Sequence, residues 1–365
     1  MNSLWAQVRR ILVMRLDNIG DVVMTSPVLR ALKENFPAPH VTLMASPGGS
    51  KVAPLLPWVD DVLPWRVLWQ DVADRLSFDP AREWELVDTL RRGGYDASII
   101  LTSFKQTPHA AAYACYLAGI PLRLGESKEW GGGVLTDEAP PSPDELHQVE
   151  RNLRLIEHVG FRVEDRSLGV SVPRGAQENA VALLRERGVD PGAPYLLLNP
   201  WTSAQARTYP PNRFACAARR LSKETGWPVV VSGTEAARVR GGRVLDVLGE
   251  CGVDLVGETD LAGLAALVEG ARLVLTNNTS TMHFADALRT PEVVLFSGTE
   301  LEGQWCPRHN LNRLLRRGTF CSPCYAFTCP YNLECLDIPP EEVAEAGLSL
   351  LGEAAWQEGK ETRTG

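Results

Sequence analysis

The stretch ILVMRLDNIGDVVMTSP at residues 11–27 decides the fold of this chain. It opens with four apolar residues, the pattern expected of a buried strand in a parallel sheet. Asp17, Asn18 and Gly20 then interrupt the apolar run, as turn residues do. From Val22 onward apolar residues recur at helical spacing. The pattern predicts a strand, a tight loop and a helix.

Asp21 lies at the predicted start of that helix. In an open parallel sheet, ligands bind outside the carboxyl ends of the strands, and a helix N-terminus favours negative charge. A carboxylate in this place can be a cap of the helix or a general base in catalysis. The residues by themselves leave both roles open.

Strand and helix patterns alternate through both halves of the 365-residue chain. This alternation predicts an α/β protein with two Rossmann-like domains, residues 1–173 and 174–340, followed by a C-terminal helix and tail at 341–365. Clustered glycines and prolines predict a surface loop at 126–143. Neither a Gly-x-Gly-x-x-Gly nor a P-loop motif follows the first strand. Two such domains without either motif suit a nucleotide-sugar enzyme of the GT-B architecture, with its site in a cleft between the domains.

Composition narrows the class of partner. The chain has 37 Lys and Arg against 45 Asp and Glu, a net charge of −8, which argues against nucleic acid as its main partner. It contains no apolar run long enough to span a membrane. The first ten residues lack the apolar core of a secretory signal. We therefore expect a cytoplasmic protein.

Residues 11–27 resemble the opening of glycosyltransferase family 9, the lipopolysaccharide heptosyltransferase family. In that family a strand ends in Arg or Lys, and a polar turn with Gly-Asp and a helix with Thr-x-Pro follow. The matching residues are Arg15, Gly20, Asp21, Thr25 and Pro27. The resemblance implies that Asp21 is the catalytic base that takes the proton of the acceptor hydroxyl.

A loop rich in hydroxyl groups follows the first strand of the second half. Thr202 and Ser203 offer donors to phosphate oxygens, and Arg207 adds a cation. Such a cation acts mainly on the transition state, because a departing diphosphate gathers negative charge. The residues alone also allow a solvated loop with a surface arginine. The family resemblance assigns the two hydroxyls to phosphate contacts and Arg207 to a catalytic role.

Glu235 follows a strand and a turn. An acidic side chain there suits a pair of ribose hydroxyls, or it complements the dipole of a following helix. It resembles the Gly-x-x-Glu position of the family, with one residue instead of two after Gly233. The resemblance implies a contact with the nucleotide ribose.

The segment TNNTSTMHFADAL at 276–288 resembles the family signature Asp-Ser/Thr-Gly-x-x-His. Asn278 replaces the usual aspartate, which keeps the hydrogen-bonding shape and loses the charge. Ser280 replaces the usual glycine, which makes a positive φ less easy. His283 is expected to orient the loop or contact phosphate, and otherwise to be a packed helix residue. The residues assigned to the nucleotide sugar by the resemblance are Asn18, Asn278, Thr279, Ser280, Thr281, Met282 and His283.

Four cysteines, Cys321, Cys324, Cys329 and Cys335, lie within fifteen residues. Thiolates grouped in this way could hold a structural metal, zinc or an iron–sulfur cluster. The spacing of the second pair is not that of a usual zinc site, so a set of reduced thiols is the alternative. Catalysis itself is expected to need no cofactor.

The resemblance implies an inverting, metal-independent transfer of heptose from ADP-heptose to a lipopolysaccharide core, with peripheral contact at the inner face of the inner membrane. Other functions stay open on the residues. They are a transferase or epimerase of the same architecture acting on another nucleotide sugar or a soluble glycoside, and a non-catalytic binder of sugar nucleotides.

Overall fold

A computed structural model describes residues 4–71 and 75–364 of the chain. Residues 1–3, 72–74 and 365, which belong to the predicted domains and tail, lie outside the described residues. Contacts between residues divide the chain into two compact units, Met1–Gly169 and Val170–Gly365. Each unit has its own sheet and is described by itself.

The first unit contains a six-stranded sheet in which every pair of neighbouring strands is parallel. In chain order its strands are β1 (Arg10–Arg15), β2 (His40–Ala45), β3 (Asp61–Pro64), β4 (Ala97–Ile100), β5 (Leu122–Glu126) and β6 (Asp137–Ala139). The helices are α1 (Ile19–Val23), α2 (Ser26–Asn35), α3 (Pro80–Gly93), α4 (His109–Leu117) and α5 (Gln148–His158).

The second unit also contains a parallel six-stranded sheet. Its strands are β7 (Leu196–Asn199), β8 (Val229–Gly233), β9 (Gly252–Val256), β10 (Leu273–Asn277), β11 (Glu292–Leu295) and β12 (Asn312–Leu315). The helices are α6 (Arg174–Glu186), α7 (Pro211–Thr225), α8 (Glu235–Leu248), α9 (Leu261–Gly270), α10 (Ser280–Leu288), α11 (Glu302–Trp305) and α12 (Pro340–Thr364). Helix α12 packs on α7 and on the β11–β12 edge, so the C-terminal segment belongs to this unit.

The two sheets share one topology. The strand orders are β3-β2-β1-β4-β5-β6 and β12-β11-β10-β7-β8-β9. In each unit the chain builds one half of the sheet outward from a central strand, and then returns to the centre and builds the other half. Each sheet therefore has a switch point, β1/β4 in the first unit and β7/β10 in the second, where ligands bind in open α/β sheets. The prediction of an α/β protein with two Rossmann-like domains is confirmed.

The central strands are buried on both faces, as their apolar sequences require. Helix ends follow the local sequence. Asp79 caps α3 by accepting hydrogen bonds from the N–H groups of Ala81 and Arg82, and Gly94 ends that helix with φ of 60°.

The loop predicted at 126–143 is wrong in one part, because β6 forms within it. Residues 137–139 are acidic and small, so no strand pattern marks them. The strand exists through pairing with β5 and through Arg123, whose Nε donates to the carbonyl of Val134 at 2.6 Å. Among the helices within 4–71 and 75–364, none has an apolar stretch long enough to cross a membrane.

Candidate functional site

Arg15 is the centre of a polar cluster at the switch point of the first sheet. It is the last residue of β1, and its side chain is fully buried. Its Nη2 lies 2.7 Å from Oδ1 of Asp21, and its Nε lies 3.1 Å from Oδ2 of Asp17. The same Nη2 donates to Oγ of Ser103 at 2.8 Å, on the loop after β4. The strand that ends in Arg15 and its neighbour in the sheet thus meet in one network.

Gln106 closes this network from the loop after β4. Its Nε2 donates to Oδ1 of Asp17 at 2.5 Å, and its Oε1 accepts from the N–H of Ser103 at 2.8 Å. Burial raises the pKa of Asp17 and Asp21 raises it further, against the lowering effects of Arg15 and Gln106. Burial lowers the pKa of Arg15, but the two carboxylates outweigh it, so that the pKa of Arg15 is raised.

Asp21 takes one of the two roles that the sequence allows, the contact at the helix start, and its role as a general base stays a prediction. It lies in the first turn of α1, and its Oδ2 accepts the backbone N–H of Asn18 at 3.1 Å, so it satisfies an open donor of the helix start. Its other oxygen is the one bound to Arg15. Both oxygens are therefore held in place by these contacts. The side chain keeps 14% of its surface exposed, so the carboxylate can still be reached. Asn18 itself is exposed at the N-cap position of α1.

In the second unit, the candidate residues lie on the loops after four neighbouring strands. The sheet order places β11, β10, β7 and β8 side by side. The loops and helix starts that follow them carry residues 297–300, 278–283, 202–207 and 234–235, in that order. The topology therefore brings together at one edge residues that are up to about a hundred positions apart in the chain.

The loop after β7 is shaped by its own hydroxyl groups. Oγ1 of Thr202 donates to the carbonyl of Ala204 at 2.5 Å and lies 2.9 Å from Oγ1 of Thr208. Ser203 is exposed beside it. Arg207 ends a short 3-10 turn, and its Nη1 lies 3.5 Å from Oε1 of Glu300. Thr202 thus holds the loop in shape, while Ser203 faces solvent.

Two asparagines at the end of β10 connect the neighbouring loops. Asn277 is fully buried, accepts the N–H of Tyr209 at 2.9 Å and donates to the carbonyl of Pro200 at 2.9 Å. Asn278 donates through Nδ2 to Oε2 of Glu300 at 3.2 Å. The residues that sequence analysis did not assign to this site, Asn277 and Glu300, are therefore those that tie its loops together.

Helix α10 begins at Ser280, with Thr279 as its N-cap residue. Ser280 has no positive φ, so the serine in place of the usual glycine causes no backbone strain. Thr281 and His283 are buried. Met282 is 1% exposed and packs against Val294 and Phe296, which places its side chain in an apolar cluster.

Glu235 is the first residue of α8 and its side chain is 71% exposed. Both of its oxygens accept from Nε of Arg238 at 3.0 Å, and Nη2 of Arg238 also pairs with Glu258 at 3.0 Å. The structure therefore places Glu235 after the carboxyl end of β8, in a surface ion-pair network.

The four cysteines of the 321–335 segment are free thiols, of which Cys335 is buried and Cys324 exposed. Burial raises the pKa of the Cys335 thiol. Over the described residues, no group of three or more His, Cys, Asp or Glu side chains is arranged to hold a metal ion. The thiols of Cys321, Cys324 and Cys329 also raise the pKa of Cys335, and a structural metal at this segment stays a prediction.

The same segment connects two of the site loops through its backbone. The N–H groups of Cys324 and Tyr325 donate to the carbonyls of Gly298 and Thr299 at 3.1 and 2.9 Å. On its other side, the carbonyl of Phe327 accepts the N–H of Ala206 at 3.0 Å. We call residues 324–329 the clamp segment, because it fixes the loops after β7 and β11 to each other.

Comparison with curated proteins places relatives along nearly the whole chain. Lipopolysaccharide heptosyltransferase 1 of Pseudomonas aeruginosa is 25% identical over 331 residues, which cover 88% of this chain and 88% of that protein. Lipopolysaccharide heptosyltransferase 2 of Escherichia coli is 27% identical over 312 residues, covering 79% and 82%.

Solved structures share the fold. A family 9 glycosyltransferase from Veillonella parvula matches with a TM-score of 0.77 at 19% identity, covering 94% of this chain and 97% of that one. The ADP-heptose lipopolysaccharide heptosyltransferase II of E. coli matches with a TM-score of 0.74 at 23% identity, covering 95% and 99%.

The model of the family described as glycosyltransferase family 9 (heptosyltransferase) matches residues 83–334. This range starts after Asp21 and includes every candidate residue of the second sheet's edge. The family resemblance of the sequence motifs is thus confirmed over more than half of the chain. The chain belongs to glycosyltransferase family 9 and is a glycosyltransferase.

Proposed function

We propose that this glycosyltransferase moves heptose from ADP-heptose to the core of lipopolysaccharide, with inversion at the anomeric carbon and without a metal ion. The names of the relatives, which are lipopolysaccharide heptosyltransferases, support the donor and the acceptor. The observation that carries the chemistry is the placement of Asp21, whose side chain is 14% exposed and is held through both of its oxygens.

In this proposal Asp21 is the general base. The acceptor oxygen attacks the anomeric carbon of heptose from the side opposite the diphosphate, and its proton passes to the carboxylate of Asp21. The bond between the anomeric carbon and the diphosphate oxygen breaks, and ADP leaves with the electron pair. Arg15 keeps the carboxylate in one orientation during this step, because it is buried and cannot move with the substrate.

Arg207 stabilises the departing ADP. Negative charge grows on the bridging oxygen as the bond breaks, and a guanidinium already in place needs no reorganisation to meet it. The start of α10 offers backbone N–H groups to the same diphosphate, next to Thr279 and Ser280. Because the cation is supplied by a side chain, no metal ion is required for this charge.

The remaining assignments are part of the same proposal. Residues 1–173 bind the acceptor and residues 174–340 bind the donor, with Glu235 at the ribose hydroxyls. Seven further residues complete the donor assignment, and the buried ones among them shape the segment that carries Thr279 and Ser280. They are Asn18, Thr202, Ser203, Asn278, Thr281, Met282 and His283. The protein works at the cytoplasmic face of the inner membrane as a peripheral protein.

The test has two stages. A thermal-shift panel with ADP-, UDP-, GDP- and CMP-sugars identifies the donor, since a ligand that binds only the folded state raises the melting temperature. We expect a selective shift with ADP-heptose. Transfer to a heptose-deficient lipopolysaccharide core, followed by mass spectrometry, then tests the reaction. A shift with another nucleotide sugar would identify that sugar as the donor. Absence of transfer to every core acceptor would contradict the proposal.

A non-catalytic binder is the second candidate, and the neutral Asn278 in place of an aspartate is the observation that favours it. Such a protein would show the thermal shift and produce no ADP in the presence of acceptor. Measuring ADP release with and without the acceptor separates the two functions.

A further inference from the structure

Asn278 and Glu300 make a specific contact at the edge of the second sheet. Nδ2 of Asn278 donates to Oε2 of Glu300 at 3.2 Å. Oδ1 of Asn278 accepts from the backbone N–H and from Oγ of Ser297, both at 3.3 Å. The amide can therefore adopt only one orientation, with its donor toward the carboxylate. An aspartate at position 278 would place a second negative charge against Glu300.

Glu300 also contacts Arg207, through its other oxygen. Oε1 lies 3.5 Å from Nη1 of Arg207, and the two side chains are 27% and 22% exposed. A pair that is partly shielded from water is screened less than a surface pair. One carboxylate thus lies between the neutral amide of Asn278 and the guanidinium assigned to the diphosphate.

The clamp segment makes this arrangement part of the fold. It hydrogen-bonds to Thr299 on one side and to Ala206 on the other, and the N–H of Cys329 donates to Oε1 of Gln205 at 2.9 Å. The loops that carry Arg207 and Glu300 are therefore held together by backbone contacts next to the ion pair. The backbone contacts therefore keep the side chains of Arg207 and Glu300 near each other.

We propose that Glu300 is a positioning residue, which orients Arg207 toward the diphosphate, and that Asn278 is its matched neutral partner. The inference rests on the proposed function only in that Arg207 acts on a leaving nucleoside diphosphate. Glu300 supplies the negative charge of this contact, and Asn278 supplies a neutral hydrogen-bond donor. A single carboxylate fixes the guanidinium, and two would repel each other and the diphosphate.

The test is a cycle of three variants, Glu300→Gln, Asn278→Asp and the double variant. Glu302→Gln is the control, because Glu302 lies two residues further along the chain and pairs with Arg316 on the surface. Two quantities are measured. One is the turnover number for heptose transfer, and the other is the affinity, by calorimetry, for whichever of ADP, UDP and GDP binds the wild-type chain best.

We expect Glu300→Gln to lower kcat about tenfold or more while the nucleotide affinity stays the same or increases, because the orientation of Arg207 is lost and its charge is kept. We expect Asn278→Asp to weaken nucleotide binding about tenfold, through the added negative charge. The double variant should return the nucleotide affinity to within about threefold of the wild type, because it again has one carboxylate in the contact, whereas its kcat should stay as low as that of Glu300→Gln, because the ion pair with Arg207 is still missing.

A wild-type kcat in Glu300→Gln, or a double variant that binds the nucleotide no better than Asn278→Asp, would overturn the inference. A loss in the Glu302→Gln control as large as that in Glu300→Gln would also overturn it. Absence of heptose transfer by the wild type would contradict the proposed function, and Glu300 would then be judged on nucleotide affinity, where the rescue of Asn278→Asp is still expected. If none of the three nucleotides binds, both proposals fail.

Discussion

Arg15 and Asp21 form an ion pair of 2.7 Å between the buried end of β1 and the first turn of α1. The guanidinium is fully buried, whereas the carboxylate is partly exposed. A buried cation with fixed donors orients a carboxylate more firmly than a surface pair can, because neither partner is free to change its rotamer. The pair gives Asp21 a defined direction at the point of the sheet where a substrate is expected.

Asp21→Asn should abolish the general base and keep the shape of the side chain. We expect kcat for transfer to fall about 10²–10⁴-fold, the range typical of a lost acid–base catalyst, with ADP affinity unchanged. Initial rates and calorimetry measure the two effects.

Asp79→Asn is the matched control for the structural role of Asp21. Asp79 also accepts N–H groups at a helix start, and it lies outside the Arg15 network. Asparagine caps a helix about as well as aspartate, so the stability and the transfer rate of Asp79→Asn should both stay close to those of the wild type. Turnover of Asp21→Asn close to that of the wild type would contradict the assignment of the base.

Arg207→Met should slow the chemical step of the transfer. We expect a loss of about 10²–10³ in kcat, since a preorganised charge at the leaving group is removed, and a partial loss in Arg207→Lys. Arg213→Met is the control, because Arg213 pairs with Asp337 on the surface of the same unit. An effect on the Michaelis constant alone would show that Arg207 binds the ground state and the transition state equally.

Local patterns were enough to predict part of the structure. The apolar run, the turn residues and the helical spacing at 11–27 predict β1 and α1, and thereby the place of Asp21. The alternation of strands and helices likewise predicts the two sheets. These features depend on neighbours in the chain, which a sequence displays directly.

Contacts between distant segments could not be predicted in the same way. Ser103 and Gln106 meet Arg15 and Asp17 because β4 returns to pair with β1, nearly ninety positions later. Similarly, the burial of Met282 depends on which side of α10 faces the sheet. The family motif marks the segment but does not state the direction of each side chain.

Asn277→Ala should test how the loops after β7 and β10 are tied. The change leaves the buried N–H of Tyr209 and the carbonyl of Pro200 without their partner. At about 1–3 kcal/mol for each of the two buried groups, we expect the free energy of unfolding to fall by about 2–6 kcal/mol. Urea unfolding measures it, with Asn312→Ala on β12 as the control. A loss no larger than that of the control would mean that the loops are held in another way.

Glu292→Gln should change how stability depends on pH. Glu292 is fully buried on β11, and burial raises its pKa well above the ordinary value; nearby Asp286 raises it further, and a hydrogen bond from Asn310 at 2.8 Å lowers it. The folded state therefore keeps this proton at pH values where the unfolded chain has lost it. Stability is full below the ordinary pKa of glutamic acid and falls as the pH rises toward the raised value.

Glutamine has the shape of glutamic acid and does not titrate, so Glu292→Gln should remove this loss. We expect a higher melting temperature than that of the wild type at neutral pH, and a flatter dependence of stability on pH above the ordinary glutamic acid pKa. Glu345→Gln on the exposed side of α12 is the control, for which little change is expected. Melting temperatures of the three proteins, measured across a pH series, test this expectation. An unchanged slope in Glu292→Gln would show that another group carries the pH dependence.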